Sequence, residues 1–260
     1  MAGVIMFGNS KGGVAKTTSA VNTADILSFR GNKVLLIDMD PQGHCSIALN
    51  YDPLRHFNTV ADVLTGKTAI DKAILSHSKN FDFLPSNIGM FDEEDAIKQE
   101  ILSYFLLHKK LTPIQSKYDY IVIDTPPNLG TFVLNGLIAC DLLVIPIDSS
   151  FLGLEGYVRL RRIVETKIIP AINHSITIKI LLTLFDNRTR MSKEIREDIE
   201  TRLGLKTIFS TVINRNTDVQ KSLAKGVPIR VYCDEAKIKA AAKTDYESFV
   251  DELQAFYQSR

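Results

Sequence analysis

Short apolar runs alternate with longer amphipathic stretches along most of the chain. Runs rich in β-branched residues predict strands at 3–9, 33–38, 81–84, 119–124, 141–147, 176–184 and 207–213. Most are apolar at consecutive positions, which is typical of strands buried between two helix layers. Stretches of helical period predict helices at 16–30, 92–111, 154–169, 191–203, 217–225 and 236–258. The alternation predicts an α/β fold with a doubly wound, mostly parallel β-sheet flanked by helices.

The same pattern predicts a single domain over residues 1–260. A chain of 260 residues, 45% of them hydrophobic, is long enough to build one large core, and no repeat or low-complexity linker divides it. It begins directly at the first predicted strand, so we expect no N-terminal helix-turn-helix extension. No apolar run approaches 18 residues and no export signal precedes the first strand, which predicts a cytoplasmic protein without a membrane span.

The stretch SKGGVAKTT, residues 10–18, is close to a phosphate-binding loop. The usual pattern is Gly-x-x-x-x-Gly-Lys-[Ser/Thr]. Lys16 and Thr17 are in place, whereas Ser10 and Ala15 stand at the two glycine positions. The loop follows a predicted strand and opens a predicted helix, so backbone N–H groups and the positive helix end converge on one point. The sequence therefore predicts a phosphate site there.

Each remaining loop position fits that chemistry. Gly12 and Gly13 allow the backbone to approach an anion closely, because neither carries a Cβ. We expect Lys16 to neutralise the β- and γ-phosphates and Thr17 to place its hydroxyl on Mg²⁺. Ala15 is compatible with the loop if it adopts a right-handed conformation.

Carboxylates follow two further predicted strands. LLIDMDPQG, residues 35–43, places Asp38 and Asp40 two positions apart, and YIVIDTPP, residues 120–127, ends its strand on Asp124. Carboxyl ends of parallel strands form the ligand crevice of such sheets. One of Asp38 and Asp40 is suited to holding Mg²⁺ or its waters, and the other to orienting an attacking water. On its own, Asp-x-Asp followed by Pro-Gln-Gly is also compatible with a simple capped turn. Asp124 matches the magnesium-side carboxylate of phosphate-loop NTPases.

These motifs together resemble the ParA/Soj group of the ParA/MinD superfamily of ATPases, whose phosphate loop carries two lysines. The resemblance implies the P-loop NTPase fold, with ATP and Mg²⁺ as cofactors. The matching stretches span nearly the whole chain and are SKGGVAKTT, LLIDMDPQG, FLPSN, YDYIVIDTPPNLG, LNGLIACDLLVIPI, LEG, LLTLFDNRT and GVPI.

The resemblance implies a role for each residue of the site. The first lysine, Lys11, would reach across a two-fold interface to the nucleotide of the other subunit, and Lys16 would serve its own, so the active form is an ATP-dependent homodimer. The implied catalytic residues are Lys11, Lys16 and Asp40. The implied metal residues are Thr17, Asp38 and Asp124. The implied phosphate contacts are Lys11, Gly12, Gly13, Val14, Ala15, Lys16, Thr17 and Thr18.

The late middle of the chain carries the expected base and DNA contacts. By resemblance, Asn214, Arg215 and Asn216 replace the family's Pro-Arg-Asn adenine loop, without the proline. Residues 151–230 hold 15 Lys and Arg against 8 Asp and Glu, which indicates a face for a polyanion. The candidate DNA-binding residues are Arg188, Arg190, Lys193, Arg196, Arg202, Lys221 and Lys225. For any single one of them, an ordinary surface charge is the better interpretation, because exposed Lys and Arg need no special explanation.

The implied function is segregation or positioning of a plasmid, chromosome region or other cargo on nucleoid DNA. The dimer would bind DNA non-specifically, and a ParB-like or other cargo-bound adaptor would stimulate slow ATP hydrolysis. The alternatives are a MinD-like membrane-cycling regulator, an iron–sulfur reductase and a nucleotide-switched binding module. The acidic C-terminal stretch argues against membrane binding. Cys45, Cys140 and Cys233 are too widely spaced for a cluster, and we expect them to be reduced and buried.

Overall fold

The computed structural model describes residues 2–52, 58–100, 102–150, 153–172, 174–186 and 188–260. Within them lies one eight-stranded sheet of order β3-β4-β2-β5-β1-β6-β7-β8, parallel throughout except for the β3–β4 pair. The strands are β1 (Gly3–Phe7), β2 (Val34–Asp38), β3 (Leu75–Ser78), β4 (Phe81–Leu84), β5 (Tyr120–Asp124), β6 (Leu142–Asp148), β7 (Thr177–Phe185) and β8 (Ile208–Asn214). The predicted sheet is confirmed.

Helices flank the sheet. They are α1 (Lys16–Phe29), α2 (His44–Ala48), α3 (Val60–Leu64), α4 (Ile70–Ala73), α5 (Met90–Gln99), α6 (Leu106–Leu111), α7 (Thr131–Ala139), α8 (Gly153–Ile163), α9 (Arg190–Leu203), α10 (Thr217–Ala224), α11 (Ile229–Ala236) and α12 (Ala241–Gln258). No helix among the described residues is both long enough and apolar enough to span a bilayer.

Side chains of successive strand residues enter two separate cores, one on each face of the sheet. Val4 and Met6 of β1 pack into the core beneath α7 and α8, whereas Ile5 and Phe7 pack into the core beneath α1 and α12. Helices therefore cover both faces, as the apolar pattern of the strands predicts.

Two long predicted helices are each broken in the structure, so those predictions are wrong. The helix expected over 92–111 ends with α5 and resumes at α6, and Leu102 between them has φ 59°. The helix expected over 236–258 begins only at Ala241, because Lys237 has φ 54° and ends α11. A left-handed residue cannot continue the i to i−4 hydrogen bonds of a helix.

Some elements give little signal in the sequence. Strand β3 has four residues, is only half-buried and pairs antiparallel to β4. Helix α7 is buried on nearly all sides, so it has no polar face to reveal a helical period. Helices α2, α3 and α4 have only four or five residues each.

The edge strand β8 is closed by carboxylates from α12. Glu252 accepts the backbone N–H groups of Ser210 and Thr211, at 2.7 and 2.6 Å. Asp245 accepts the N–H of Asn214 at 2.9 Å. The apolar side of α12 packs into the core against α1 and β8. The C-terminal helix is therefore part of the fold, with its apolar face occupied.

Acid is expected to weaken the fold through His77. Burial lowers the pKa of this imidazole below its usual 6.5, and the carboxylate of Asp25 opposes the shift. The ring also faces the Tyr51 hydroxyl at 3.3 Å and packs edge-on against Phe81. The unfolded chain binds this proton more readily, so the free energy of unfolding decreases as the pH falls below about 6.5 and levels off below the folded pKa.

Urea unfolding between about pH 5 and pH 7 measures this effect. We expect the His77→Asn variant to lose less stability than the wild type over that interval. Parallel pH profiles of the two proteins would contradict the assignment.

Candidate functional site

A loop joining β1 to α1 lies at the carboxyl ends of the central strands and is tied to two of them. Asn9 donates its side-chain amide to the carbonyl of Pro146 on β6 at 2.7 Å, and its Oδ1 accepts the N–H of Lys11 at 3.0 Å. Thr183 on β7 donates its hydroxyl to the carbonyl of Val14 at 3.0 Å. The loop is therefore held in shape by neighbouring strands in addition to its own sequence.

Ala15 adopts a left-handed conformation, with φ 63° and ψ 31°, so the expected right-handed conformation is wrong. Gly13 also has a positive φ, of 76°. Alternation of left- and right-handed residues turns successive N–H groups toward one concavity. The carbonyl of Ala15 then accepts the Ser19 N–H at 2.9 Å and starts α1. The left-handed conformation of Ala15 costs about 1 kcal/mol. The hydrogen bonds that join Asn9 to β6 and Val14 to β7 offset this cost.

Lys16 lies inside the loop and is only 7% exposed. Its Nζ donates to the carbonyl of Lys11 at 3.2 Å, across the mouth of the loop. Burial lowers the pKa of this ammonium, while the carboxylates of Asp124 and Asp40 act in the opposite direction. A buried cation at a helix N-terminus is a strong local attraction for an anion.

A cavity of about 580 Å³ opens beside the loop, which is within the usual size range of small-molecule sites. It brings the phosphate loop together with the predicted base contacts at the end of β8. The predicted residues that line it are Gly12, Gly13, Ala15, Lys16, Thr17, Thr18, Asp40, Asn214, Arg215 and Asn216. Hydrophobic side chains of α2 and α10, among them Ile47, Val219 and Leu223, also line the cavity.

Asp124 lies at the base of the loop and is completely buried. Its Oδ2 accepts the hydroxyl of Thr17 at 2.6 Å and the thiol of Cys45 at 3.4 Å, whereas its Oδ1 is buried without a hydrogen-bond partner. Burial raises the pKa of this carboxyl to about 6, against the opposing effects of Thr17 and Lys16. An unpaired carboxylate oxygen beside a hydroxyl is an oxygen-rich donor set, which fits Mg²⁺.

Asp38 and Asp40 have different environments. Asp38 is fully buried, and its two oxygens accept the N–H groups of Asp40 and Cys45, at 2.9 and 3.1 Å. Burial, together with the nearby charge of Asp124, raises its pKa well above the usual value. Asp40 lines the cavity and accepts the N–H of Gln42 at 3.0 Å. Asp38 thus caps the turn, and Asp40 is the carboxylate of this pair that faces the cavity.

Lys11 and Val14 point away from the cavity. The Nζ of Lys11 binds Asp148, the last residue of β6, at 2.5 Å and Ser150 at 2.6 Å. The Val14 side chain is buried in the fold. The two lysines of the loop therefore have separate surroundings, one inside the cavity and one outside it.

Comparison with known proteins assigns the family. The model of the AAA domain family AAA_31 matches residues 2–178. The chromosome-partitioning ATPase Soj of Treponema pallidum is 34% identical over 257 residues, which are 98% of this chain and 98% of that protein. The chain belongs to the ParA/Soj family of P-loop ATPases.

Solved structures agree with the family. The cobyrinic acid a,c-diamide synthase of Mycobacterium smegmatis, with bound ATP analog and magnesium, aligns with a TM-score of 0.83 and 27% identity, over 100% of this chain and 97% of that one. A putative plasmid partition protein of Borrelia burgdorferi bound to AMPPNP aligns with a TM-score of 0.81 and 25% identity, over 100% of both chains. The fold of this ParA/Soj-type ATPase is thus one on which nucleotide complexes have been observed.

The predicted DNA-binding cations of this ParA/Soj-type ATPase lie apart from the cavity, and most are paired with acids one turn away or nearer. The pairs are Arg188 with Asp186, Arg190 with Glu194, Arg196 with Glu200, Arg202 with Asp198 and Lys221 with Asp218. Lys225 lies over the ring of Tyr232 at 5.2 Å. Exposed pairs of this kind are worth at most about 1 kcal/mol, so they do not prevent a side chain from contacting another anion.

Sequence reasoning missed several residues that shape the site. Asn9, Asp148 and Thr183 act through contacts spanning more than a hundred residues, for which a single sequence carries no signal. All three cysteines are free and buried, as expected, but the contact of Cys45 with Asp124 was not anticipated. Its position five residues beyond Asp40 was the available hint.

Gly156 on α8 is expected to be essential for the shape of the loop. A Cβ at this position would lie 2.1 Å from Oδ1 of Asn9, so an alanine must displace that side chain. Because Asn9 orders the N–H of Lys11, we expect Gly156→Ala to lower the affinity for an ATP analogue about tenfold, the equivalent of one lost hydrogen bond.

Calorimetric titration of the two proteins measures this loss. Val158→Ala, an exposed substitution on the same helix, is the matched control and should bind as the wild type does. Equal affinities of Gly156→Ala and Val158→Ala would contradict the role assigned to Gly156.

Proposed function

We propose that this chain is a single-domain, Mg²⁺-dependent ATPase whose ATP-bound homodimer holds DNA non-specifically and positions a cargo. The cargo would be a plasmid, a chromosome region or another large assembly on the nucleoid. A ParB-like or other adaptor on the cargo would stimulate hydrolysis that is slow without it. The observation that carries the proposal is the position of Lys11, which belongs to the phosphate loop but lies outside the cavity of its own chain.

The residues of the cavity have complementary tasks in this proposal. Lys16 and the loop N–H groups would bind the phosphates, and Thr17 with Asp124 would hold Mg²⁺, which would supply positive charge to the phosphates. Asp40 faces the cavity and accepts a proton from, or orients, the attacking water. Asn214, Arg215 and Asn216 lie at the end where the base binds. Asp38 keeps the turn that carries Asp40 in place through its two backbone hydrogen bonds.

Lys11 supports a dimer because it has no task within its own subunit other than its contacts with Asp148 and Ser150. Its side chain is about one quarter exposed at the end of the sheet where the cavity opens. A second copy meeting this end would bring its phosphates to Lys11, and the more negative phosphate would compete with the Asp148 carboxylate. A cation that arrives from the partner makes hydrolysis depend on dimerisation.

Light scattering with a non-hydrolysable ATP analogue tests the dimer. We expect a dimer for the wild type and monomers for Lys11→Ala, although this variant should still bind the nucleotide. Asp40→Ala should accumulate as a dimer with ATP itself, with hydrolysis reduced about 100-fold or more. A Lys11→Ala dimer, or normal turnover by Asp40→Ala, would overturn the corresponding assignment.

Binding to non-specific duplex DNA across a salt series tests the second part of the proposal. We expect tight binding only with the ATP analogue, with a logarithm of affinity that falls linearly with the logarithm of the salt concentration. Lys221→Glu/Lys225→Glu and Arg188→Glu/Arg190→Glu should each weaken binding, and Lys72→Glu, an exposed charge on α4, should not. Equal binding with ADP would refute nucleotide control, and binding to anionic vesicles instead of DNA would favour the membrane-cycling alternative.

A further inference from the structure

The thiol of Cys45 lies in a fully buried cluster with the carboxylates of Asp38 and Asp124. One ligand atom of each residue lies within 4.8 Å of the other two. The thiol donates to Oδ2 of Asp124 at 3.4 Å, and the N–H of the same cysteine donates to Asp38. Helix α2 therefore contributes one residue that contacts both carboxylates.

The cluster has a vacant acceptor. Oδ1 of Asp124 is buried without a hydrogen-bond partner, and the Lys16 ammonium binds the carbonyl of Lys11 instead. The nearby charge of Lys16 lowers the pKa of Asp124 without donating a hydrogen bond to this oxygen. The unpaired oxygen is therefore an acceptor that a further cation can use.

The spacing suits a small tetrahedral cation. Zinc–sulfur and zinc–oxygen bonds of about 2.3 and 2.1 Å place neighbouring ligands about 3.5 Å apart. The sulfur and the Asp124 Oδ2 are already separated by 3.4 Å, and the ligand oxygen of Asp38 lies within 4.8 Å of both ligand atoms. A cation would draw the Asp38 oxygen closer.

We propose that the nucleotide-free protein binds one thiophilic divalent cation, of the Zn²⁺ or Cd²⁺ class, through Asp38, Cys45 and Asp124. On binding, the thiol releases its proton to solvent and a sulfur–metal bond forms, with no change of oxidation state. Mg²⁺ prefers oxygen ligands and leaves the thiol as a hydrogen-bond donor to Asp124. Soft and hard cations therefore use the same carboxylate in different ways, and they exclude each other.

Titration of the nucleotide-free full chain with Cd²⁺ tests the site without any measurement of hydrolysis. We expect one equivalent to produce a sulfur-to-metal charge-transfer absorption and to release a proton. Cys45→Ala should abolish the absorption and lower the Cd²⁺ affinity about 100-fold or more, since even outer residues of metal sites change affinity 10- to 100-fold. Cys140→Ala is the matched control, because that thiol is equally buried and donates to the carbonyl of Leu137 rather than to a carboxylate.

A second variant distinguishes loss of the metal site from unfolding of the protein. Asp124→Asn keeps the thiol and the shape of the site, and we expect it to weaken Cd²⁺ binding at least about tenfold while its circular dichroism stays that of the wild type. An absorption that survives in Cys45→Ala, or disappears equally in Cys140→Ala, would overturn the proposal, as would no absorption in the wild type. Loss of ATP binding or hydrolysis plays no part in these outcomes, so they are independent of the proposed function.

Discussion

Replacing Lys16 by alanine is expected to lower the affinity of the protein for ATP about 100-fold or more. The ammonium is buried in the loop and donates to the neutral carbonyl of Lys11, which a bound phosphate would replace as acceptor. Charge-assisted hydrogen bonds contribute about 1.5–3 kcal/mol each, and a tenfold change in affinity corresponds to about 1.4 kcal/mol. Calorimetric titration with an ATP analogue and Mg²⁺ measures the change.

Lys11→Ala is the matched control, since it removes the same charge from the same loop. The Nζ of Lys11 contacts Asp148 and Ser150 outside the cavity, so the affinity of one chain for the nucleotide should be nearly unchanged. Wild-type affinity in Lys16→Ala would refute the phosphate site. Equal losses in both variants would show that the two lysines share one task.

Replacing Asp25 by alanine is expected to reduce the free energy of unfolding by about 3–5 kcal/mol. Both oxygens of this buried carboxylate accept hydrogen bonds from Arg230 at 2.7 Å, which joins α1 to α11. Burial raises the pKa of Asp25, and the hydrogen bonds and charge of Arg230 oppose that shift. Removal of Asp25 leaves a mostly buried guanidinium whose remaining ion pair is with the half-exposed Asp234, at 3.3 Å.

Urea unfolding of the two proteins measures this cost. Asp251→Ala breaks the ion pair of Arg30 with an exposed carboxylate and is the matched control, expected to change stability by no more than about 1 kcal/mol. Similar losses from the two substitutions would mean that burial adds nothing to the Asp25 contact.

The sequence predicts the features of this protein that depend on neighbouring residues. Apolar β-branched runs locate β1, β2 and β5, and the strand-end position of Asp40 and Asp124 brings them to one edge of the sheet. The ion pair of Arg190 with Glu194 is also of a kind that the sequence can predict, because residues four apart lie on the same face of a helix.

Features that depend on distant contacts were not predictable. The left-handed conformation of Ala15 follows from tethers to β6 and β7, which no local propensity reveals. The contact of Lys11 with Asp148 joins residues 137 positions apart. The breaks at Leu102 and Lys237 occur at residues that favour helices, so tertiary packing overrides local preference there.

The carboxylates that close β8 also protect this edge of the sheet from strand addition by another chain. An open edge strand is a template on which another chain can add a strand and extend the sheet without limit. Here Glu252 and Asp245 occupy the hydrogen-bonding positions that an added strand would need. Addition of a strand at β8 would have to break these hydrogen bonds to α12, so the sheet is protected from extension at this edge.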